Sequence, residues 1–245
     1  MQGVLRTLVP GKYFIMALMT KKRKEVLEKI DLENKYPLSE AMKLIKEVNQ
    51  TKFNSSVDLH IRLGVDPRKA DQAIRGTVEL PHGTGKTKKV LVFCTPDKEQ
   101  EAKDAGADYV GLNELVEKVQ GGWTDFDVVV AAPNVMAQVG RLGRVLGPRG
   151  LMPNPKSGTV TPDIGAAVSA VKGGKIAFRV DKYGIIHASI GRVAFTPEKL
   201  HENAKTLLNK VISMKPASAK GAYLKSVTAA TTMSPGVKIN EKTLI

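Results

Sequence analysis

Residues 78–94 read VELPHGTGKTKKVLVFC, and the pattern of the chain changes in the middle of them. Up to Leu80 the strand that starts at Thr77 belongs to a region where apolar and polar residues alternate. From Lys89 to Cys94 the strand is apolar without interruption, as in a parallel sheet covered on both faces. Between the two lies the break Pro81-His82-Gly83.

Downstream, the parallel pattern continues. Glu99 to Ala105 reads as a polar helix stopped by Gly106, and Asp127 to Ala132 (DVVVAA) as a second buried strand. Asn134 is placed to cap a helix running through Val145. Thr161-Pro162-Asp163 supplies a cap, a first-turn proline and a dipole-favoured acid to a helix ending at Gly173-Gly174. A small parallel sheet between helices is expected for residues 83–173.

Outside those bounds the style differs. Apolar residues fall at helical spacing from Lys22 to Ile30 and from Ser39 to Val48, with Ser39 as the expected N-cap. Val57, Leu59, Ile61 and Leu63 alternate with Asp58, His60 and Arg62, which predicts a strand with one buried face, and Asp66-Pro67 turns the chain. After Gly174, Ile176 to Val180 and Ile185 to Ile190 alternate around Asp181-Lys182-Tyr183-Gly184, a hairpin signal. Thr196-Pro197-Glu198 opens a helix to about Met214. A strand follows from Ala222 to Ala230, and then a polar tail. The simplest topology joins residues 21–82 and 174–245 in one domain, with 83–173 inserted through a two-strand hinge at Pro81, His82, Gly83, Gly173 and Gly174.

Charge divides along the same line. The 245 residues carry 38 Lys and Arg against 24 Asp and Glu, a net +14 with a pI near 9.8, the footprint of a polyanion binder. Residues 83–173 hold 11 basic and 10 acidic residues, so the flanks hold 27 and 14. No run of eighteen apolar residues exists, which excludes a membrane-spanning helix. One cysteine, Cys94, cannot close an internal disulfide. His60, His82, His187 and His201 are scattered without zinc-ligand spacing, so neither metal nor cofactor is expected, and the expected compartment is a reducing cytosol. In residues 1–20 the apolar run precedes the basic cluster Lys21 to Lys24, the reverse of a secretory signal. The expectation for residues 1–20 is a disordered extension or a start assigned too far upstream, with Met1, Met16 and Met19 all open as the start.

Several motifs invite chemistry. Gly83-Thr84-Gly85-Lys86-Thr87 contains GKT, but Leu80 stands where a phosphate loop needs glycine, and a strand follows rather than a helix. The run from Gly140 to Thr159 adds Arg141, Arg144, Arg149 and Lys156 to four glycines before Lys156. Solvent-facing arginines and an ordered cationic RNA loop fit it equally. Cys94 in an apolar strand reads as a core thiol, and Asp125 and Asp127 as caps beside a strand. With no nucleophile-base pair, no enzyme is expected. Lys52-Phe53 offers a ring beside a cation for stacking on RNA, or a staple into the core. The tail Ser226, Thr228, Thr231, Thr232, Met233, Ser234, Pro235, Gly236 offers hydroxyls and slim backbone to an A-form minor groove, or is a frayed end.

The runs RLGVDPRKADQAIRGTVELPHGTGKT (62–87), QGGWTDFDVVVA (120–131), GRLGRVLGPRGLMPNPKSGTVTPD (140–163) and TTMSPGVK (231–238) closely resemble the family of bacterial large-subunit ribosomal proteins numbered one. The resemblance runs from about Lys21 to the end. It implies an α/β fold of two domains: a discontinuous α+β domain with a mainly antiparallel sheet, and an inserted Rossmann-like three-layer domain. It implies a cytoplasmic, ribosome-associated protein, monomeric when free. Its partners would be large-subunit (23S-type) rRNA, exit-site tRNA beside the mobile stalk, and the messenger RNA of its own operon, which it would repress. The family's RNA contacts match Lys52, Phe53, Arg179, Ser226, Thr232 and Met233. The family usually has glycine after the threonine-methionine pair; here Ser234 stands instead and offers a hydroxyl. Two rivals remain: a nucleotide hydrolase using Lys86, and a regulator that never joins ribosomes.

Overall fold

The computed structural model describes residues 21–241; the expectation about residues 1–20 lies outside them. In chain order the elements are α1 (Lys21–Lys29), α2 (Leu38–Val48), β1 (Ser56–Leu63), β2 (Arg75–Glu79), β3 (Val90–Phe93), α3 (Glu99–Asp104), β4 (Tyr109–Gly111) and α4 (Asn113–Gln120). Then come β5 (Val128–Ala131), the single turns α5 (Met136–Val139) and α6 (Gly143–Leu146), α7 (Ile164–Lys172), β6 (Lys175–Arg179), β7 (Ile185–Arg192), α8 (Pro197–Ser213), β8 (Leu224–Thr231) and β9 (Val237–Ile239).

Two kinds of sheet coexist. β1 lies between β7 and β8 in an antiparallel four-stranded sheet of order β7-β1-β8-β9, while β2 and β6 form an antiparallel pair joined to β7 through the Val180–Ile186 bridge. β4, β3 and β5 form a parallel sheet. The alternation along β1 buries Val57, Leu59, Ile61 and Leu63 on the face of the sheet where α2 packs on β8 and β9 and α8 on β7, and leaves Asp58, His60 and Arg62 on the opposite face. In β3 all four side chains are buried. The buried apolar side chains accordingly gather in two clusters, one drawn from residues 26–80 and 178–239, the other from residues 90–171.

The connectors between these clusters press together. A Cβ on Gly174 (φ 108°) would lie 2.4 Å from the Cα of Gly83 (φ 63°), so only glycine fits there without displacing backbone. Asn203 on α8, fully buried, accepts from the His82 amide (3.2 Å) and donates to the carbonyls of Gly83 (3.0 Å) and Ile190 (2.8 Å). His82 also reaches Glu202 at 2.5 Å.

Several local expectations are corrected. α2 begins at Leu38 behind Pro37, and Ser39 is not its cap; Pro37, two residues before Ser39, holds the cap position with an extended ψ of 151°. The helix expected from Asn134 to Val145 is broken into alternating 3₁₀ and α turns over residues 133–146, the glycines at 140 and 143 weakening a continuous helix. Asp163, not Thr161, stands before the first turn of α7; the Thr161 hydroxyl accepts from the Asp163 amide instead (3.2 Å). β4 and α4 are additional to the elements expected, because a three-residue strand carries too little periodicity to read. Residues 226–239 are not frayed: β9 pairs with β8, and Ile239 bridges to Tyr36. Thr196 does cap α8, accepting from the Lys199 amide at 3.5 Å.

Candidate nucleic-acid interface

α2 ends at Val48, and Asn49 gathers the loop beyond it. Its Oδ1 lies within hydrogen-bonding reach of the hydroxyls of Thr51 (2.9 Å), Ser55 (3.0 Å) and Thr231 (3.5 Å). The loop carrying Lys52 and Phe53 is thereby braced against the end of β8. Phe53 is 57% exposed, which rules out the core staple. Beyond β8 the chain turns tightly. The Thr231 amide donates to Ser234 Oγ (2.9 Å), the Ser234 amide to the Thr231 carbonyl (3.2 Å), and Met233 at the tip is 68% exposed. Thr232 reaches back to the Ser56 hydroxyl at 3.2 Å. Ser234 has no positive φ, and its hydroxyl serves the turn itself. Lys52, Phe53, Thr232 and Met233 therefore stand on two neighbouring, mutually braced loops.

Arg179 and Ser226 lie elsewhere. Ser226 is exposed on β8 opposite Arg62, six residues before Thr232, or about 20 Å along an extended chain. Arg179 closes β6 directly opposite Arg75 on β2, and both are exposed. Like charges paired across strands are destabilising on their own, so this pair suits an anionic partner. Between the two groups runs the open face of the four-stranded sheet, with Asp58, His60, Arg62, His187, Ser189 and Thr228.

The electrostatics follow the same division. Helices α2 and α8, on the covered side, carry 5 Lys and 4 Glu. The strands and loops of residues 49–80, 175–192 and 214–240 carry 13 basic and 5 acidic residues. The sequence by itself does not single out Asn49, Ser56, Arg75 or the pairing of His60 with His187. For the histidines the signal is present, since alternation puts both on polar faces.

The middle residues offer less. Lys86 is held by Asp127 at 2.7 Å, and that lysine is the main reason the Asp127 carboxyl stays below the usual range. The Asp127 carboxylate also accepts from the Lys89 amide, and Asp125 pairs with Lys89 Nζ, so both acids hold the residue that leads into β3. With a strand after it, the GKT loop makes no phosphate cradle. Cys94 is buried, which pushes its thiol up and leaves it unreactive. Arg141, Arg144, Arg149 and Lys156 are exposed, Arg149 touching Thr124. Among the described residues no group of three or more metal-ligating side chains converges, and no helix is long and apolar enough to cross a membrane.

Residues 45–235 match the sequence profile of the Ribosomal protein L1p/L10e family. The chain belongs to that family. The large ribosomal subunit protein uL1 of Amoebophilus asiaticus is 58% identical to it over 228 residues, covering 93% of this chain and 98% of the relative. Those of Parabacteroides distasonis and Porphyromonas gingivalis are 58% and 57% identical over 229 residues, each covering 94% of this chain and 99% of the relative. An L1p/L10e protein is a ribosomal, non-enzymatic protein, which removes the nucleotide hydrolase. The cationic strands and loops of this family member thus belong to a ribonucleoprotein component.

Proposed function

We propose that the chain is a structural component of the large ribosomal subunit, bound directly to large-subunit rRNA through the two braced loops and the open sheet face. Basic side chains hold phosphates and supply affinity; Phe53, Met233 and Thr232 fit the groove and supply choice. In this reading residues 21–82 and 174–241 grip RNA, and 83–173 swing about the connectors at Pro81 to Gly83 and Gly173-Gly174 as part of a mobile stalk. That stalk assists release of exit-site tRNA, and the same surface represses the protein's own operon messenger by accepting a mimic of the ribosomal site. The protein works in the cytoplasm on ribosomes.

One observation carries the reading: two exposed apolar side chains, Phe53 and Met233, are held on adjoining loops by Asn49 and the Ser56–Thr232 contact, beside strands and loops that together carry a basic excess. Holding such side chains in water has no benefit to the free protein. Hydroxyl-radical footprinting of the full chain on large-subunit rRNA, with unrelated RNA as competitor, tests it. One compact helical region should be protected. The Phe53→Ala/Met233→Ala double variant should lose that protection, and Arg141→Ala/Arg144→Ala should keep it. The reverse pattern would move recognition to residues 83–173.

A further inference from the structure

His60 on β1 and His187 on β7 are register partners on the open sheet face, and their Nδ1 atoms lie 2.8 Å apart. The rings meet edge to face, centroids 5.0 Å apart. At that distance a single proton lies between the two nitrogens, one ring donating and the other accepting. The pair can hold one further proton, on an outer Nε2, and keep the contact. It cannot hold two, because both Nδ1 atoms would then carry hydrogen and repel.

The surroundings leave that further proton finely balanced. Burial, and then the neighbouring His187, hold His60 below the ordinary histidine range, while Asp58 two residues along β1 opposes them. On the hairpin turn before β7, Asp181 lies 3.6 Å from the outer Nε2 of His187. On the far side of His60 the register partner is Thr228 of β8, itself opposite Lys238 of β9, and Arg62 follows along β1. These neighbours carry two acidic and two basic groups, and Arg179 adds a third basic one at the end of β6, next to Val180, which bridges to Ile186 on β7.

Position gives the pair its role. Thr228 lies between Ser226 and Thr232 on one chain, so a ligand touching both Ser226 and Thr232 along β8 passes beside His60. We infer that the His60–His187 pair is a further contact for the RNA, one that takes up a proton when a phosphate comes to lie on the open face. The inference rests on the RNA reading above and adds to it. An anion beside the pair favours its charged form, so the complex holds more protons than the separated partners. The gain in affinity is therefore present at low pH and fades as pH rises through the pair's titration in the complex.

Calorimetric titration of a large-subunit rRNA transcript with the full chain, at pH 6.5 in two buffers of different protonation heat, reads the proton count directly. Wild type should take up a sizeable fraction of one proton per complex, and its affinity should fall with pH between 6 and 8, by at most about tenfold per unit for one linked proton. His60→Gln/His187→Gln should bind with little uptake and a flat profile, whereas His201→Gln, on α8, should behave as wild type. If the double variant fails to fold, His187→Gln alone, at the more exposed ring, serves in its place. Histidine ring resonances followed by NMR give a variant-free check: the pair should titrate at higher pH in the complex. Equal uptake in wild type and variant, or unmoved resonances, overturns the inference while leaving RNA binding intact. No binding of the transcript by wild type overturns the RNA reading, and the inference with it.

Discussion

The two sheets solve the same burial problem in opposite ways. The parallel sheet of β4, β3 and β5 is packed on both faces: β3 is buried at every position, and residues 83–173 carry nearly balanced charge. The antiparallel sheet buries one face against α2 and α8 and keeps the other for polar side chains, among residues with a marked basic excess. Apolar contact holds both together, but only a sheet with a free face can present a row of chemically distinct groups to a partner. The middle of the chain is built for stability, and in the proposed reading the ends serve recognition as well.

The sharpest way to break this contrast is to damage each core. Phe93→Ala, in the parallel sheet, should cost about 3–5 kcal/mol in urea unfolding, yet leave rRNA affinity unchanged wherever the variant remains folded. Ile61→Ala should cost about 2–5 kcal/mol and weaken rRNA binding as well, since its strand carries the open face. Filter binding beside unfolding curves reads both, and parallel losses of affinity in the two variants would end the division of labour.

Next in size are effects within the proposed recognition surface. Thr232→Val should reduce discrimination between cognate and unrelated RNA by about 1–3 kcal/mol and leave the salt dependence alone. Arg179→Ala should weaken both RNAs equally and lower the slope of log affinity against log salt by roughly one. Matching behaviour of the two variants would show that shape and charge are not separable here.

The smallest effect belongs to the apolar side of the antiparallel sheet. Tyr223 is buried and donates to the Val211 carbonyl at 2.9 Å, and burial pushes its hydroxyl up to about 12. The raised value means the native state resists ionisation. Its contribution is complete below the ordinary tyrosine range and lost as pH climbs through that range towards about 12. Tyr223→Phe should cost about 1 kcal/mol at neutral pH and flatten this alkaline loss of stability, as followed by denaturation at stepped pH.

Long, strongly periodic segments are legible in the chain: β1, β7, the two buried strands β3 and β5, and α8 with its Thr196 cap. Short or interrupted ones are not. β4 has three residues, and the glycines at 140 and 143 break a pattern that otherwise reads as helix. Lys52, Phe53, Thr232 and Met233 are each visible as candidates, but their closeness is not, because Asn49 lies 182 residues from Thr231 and Ser56 lies 176 from Thr232.

Periodicity and charge are local properties, so reading along the chain is enough to separate a doubly covered sheet from a one-sided one and to locate the basic excess outside residues 83–173. Which groups share a surface is a matter of strand order and register, and those are set by contacts between distant segments. That is why the bracing of Phe53 against the β8 turn, the facing arginines 75 and 179, and the touching rings of His60 and His187 emerge only once the strands are paired.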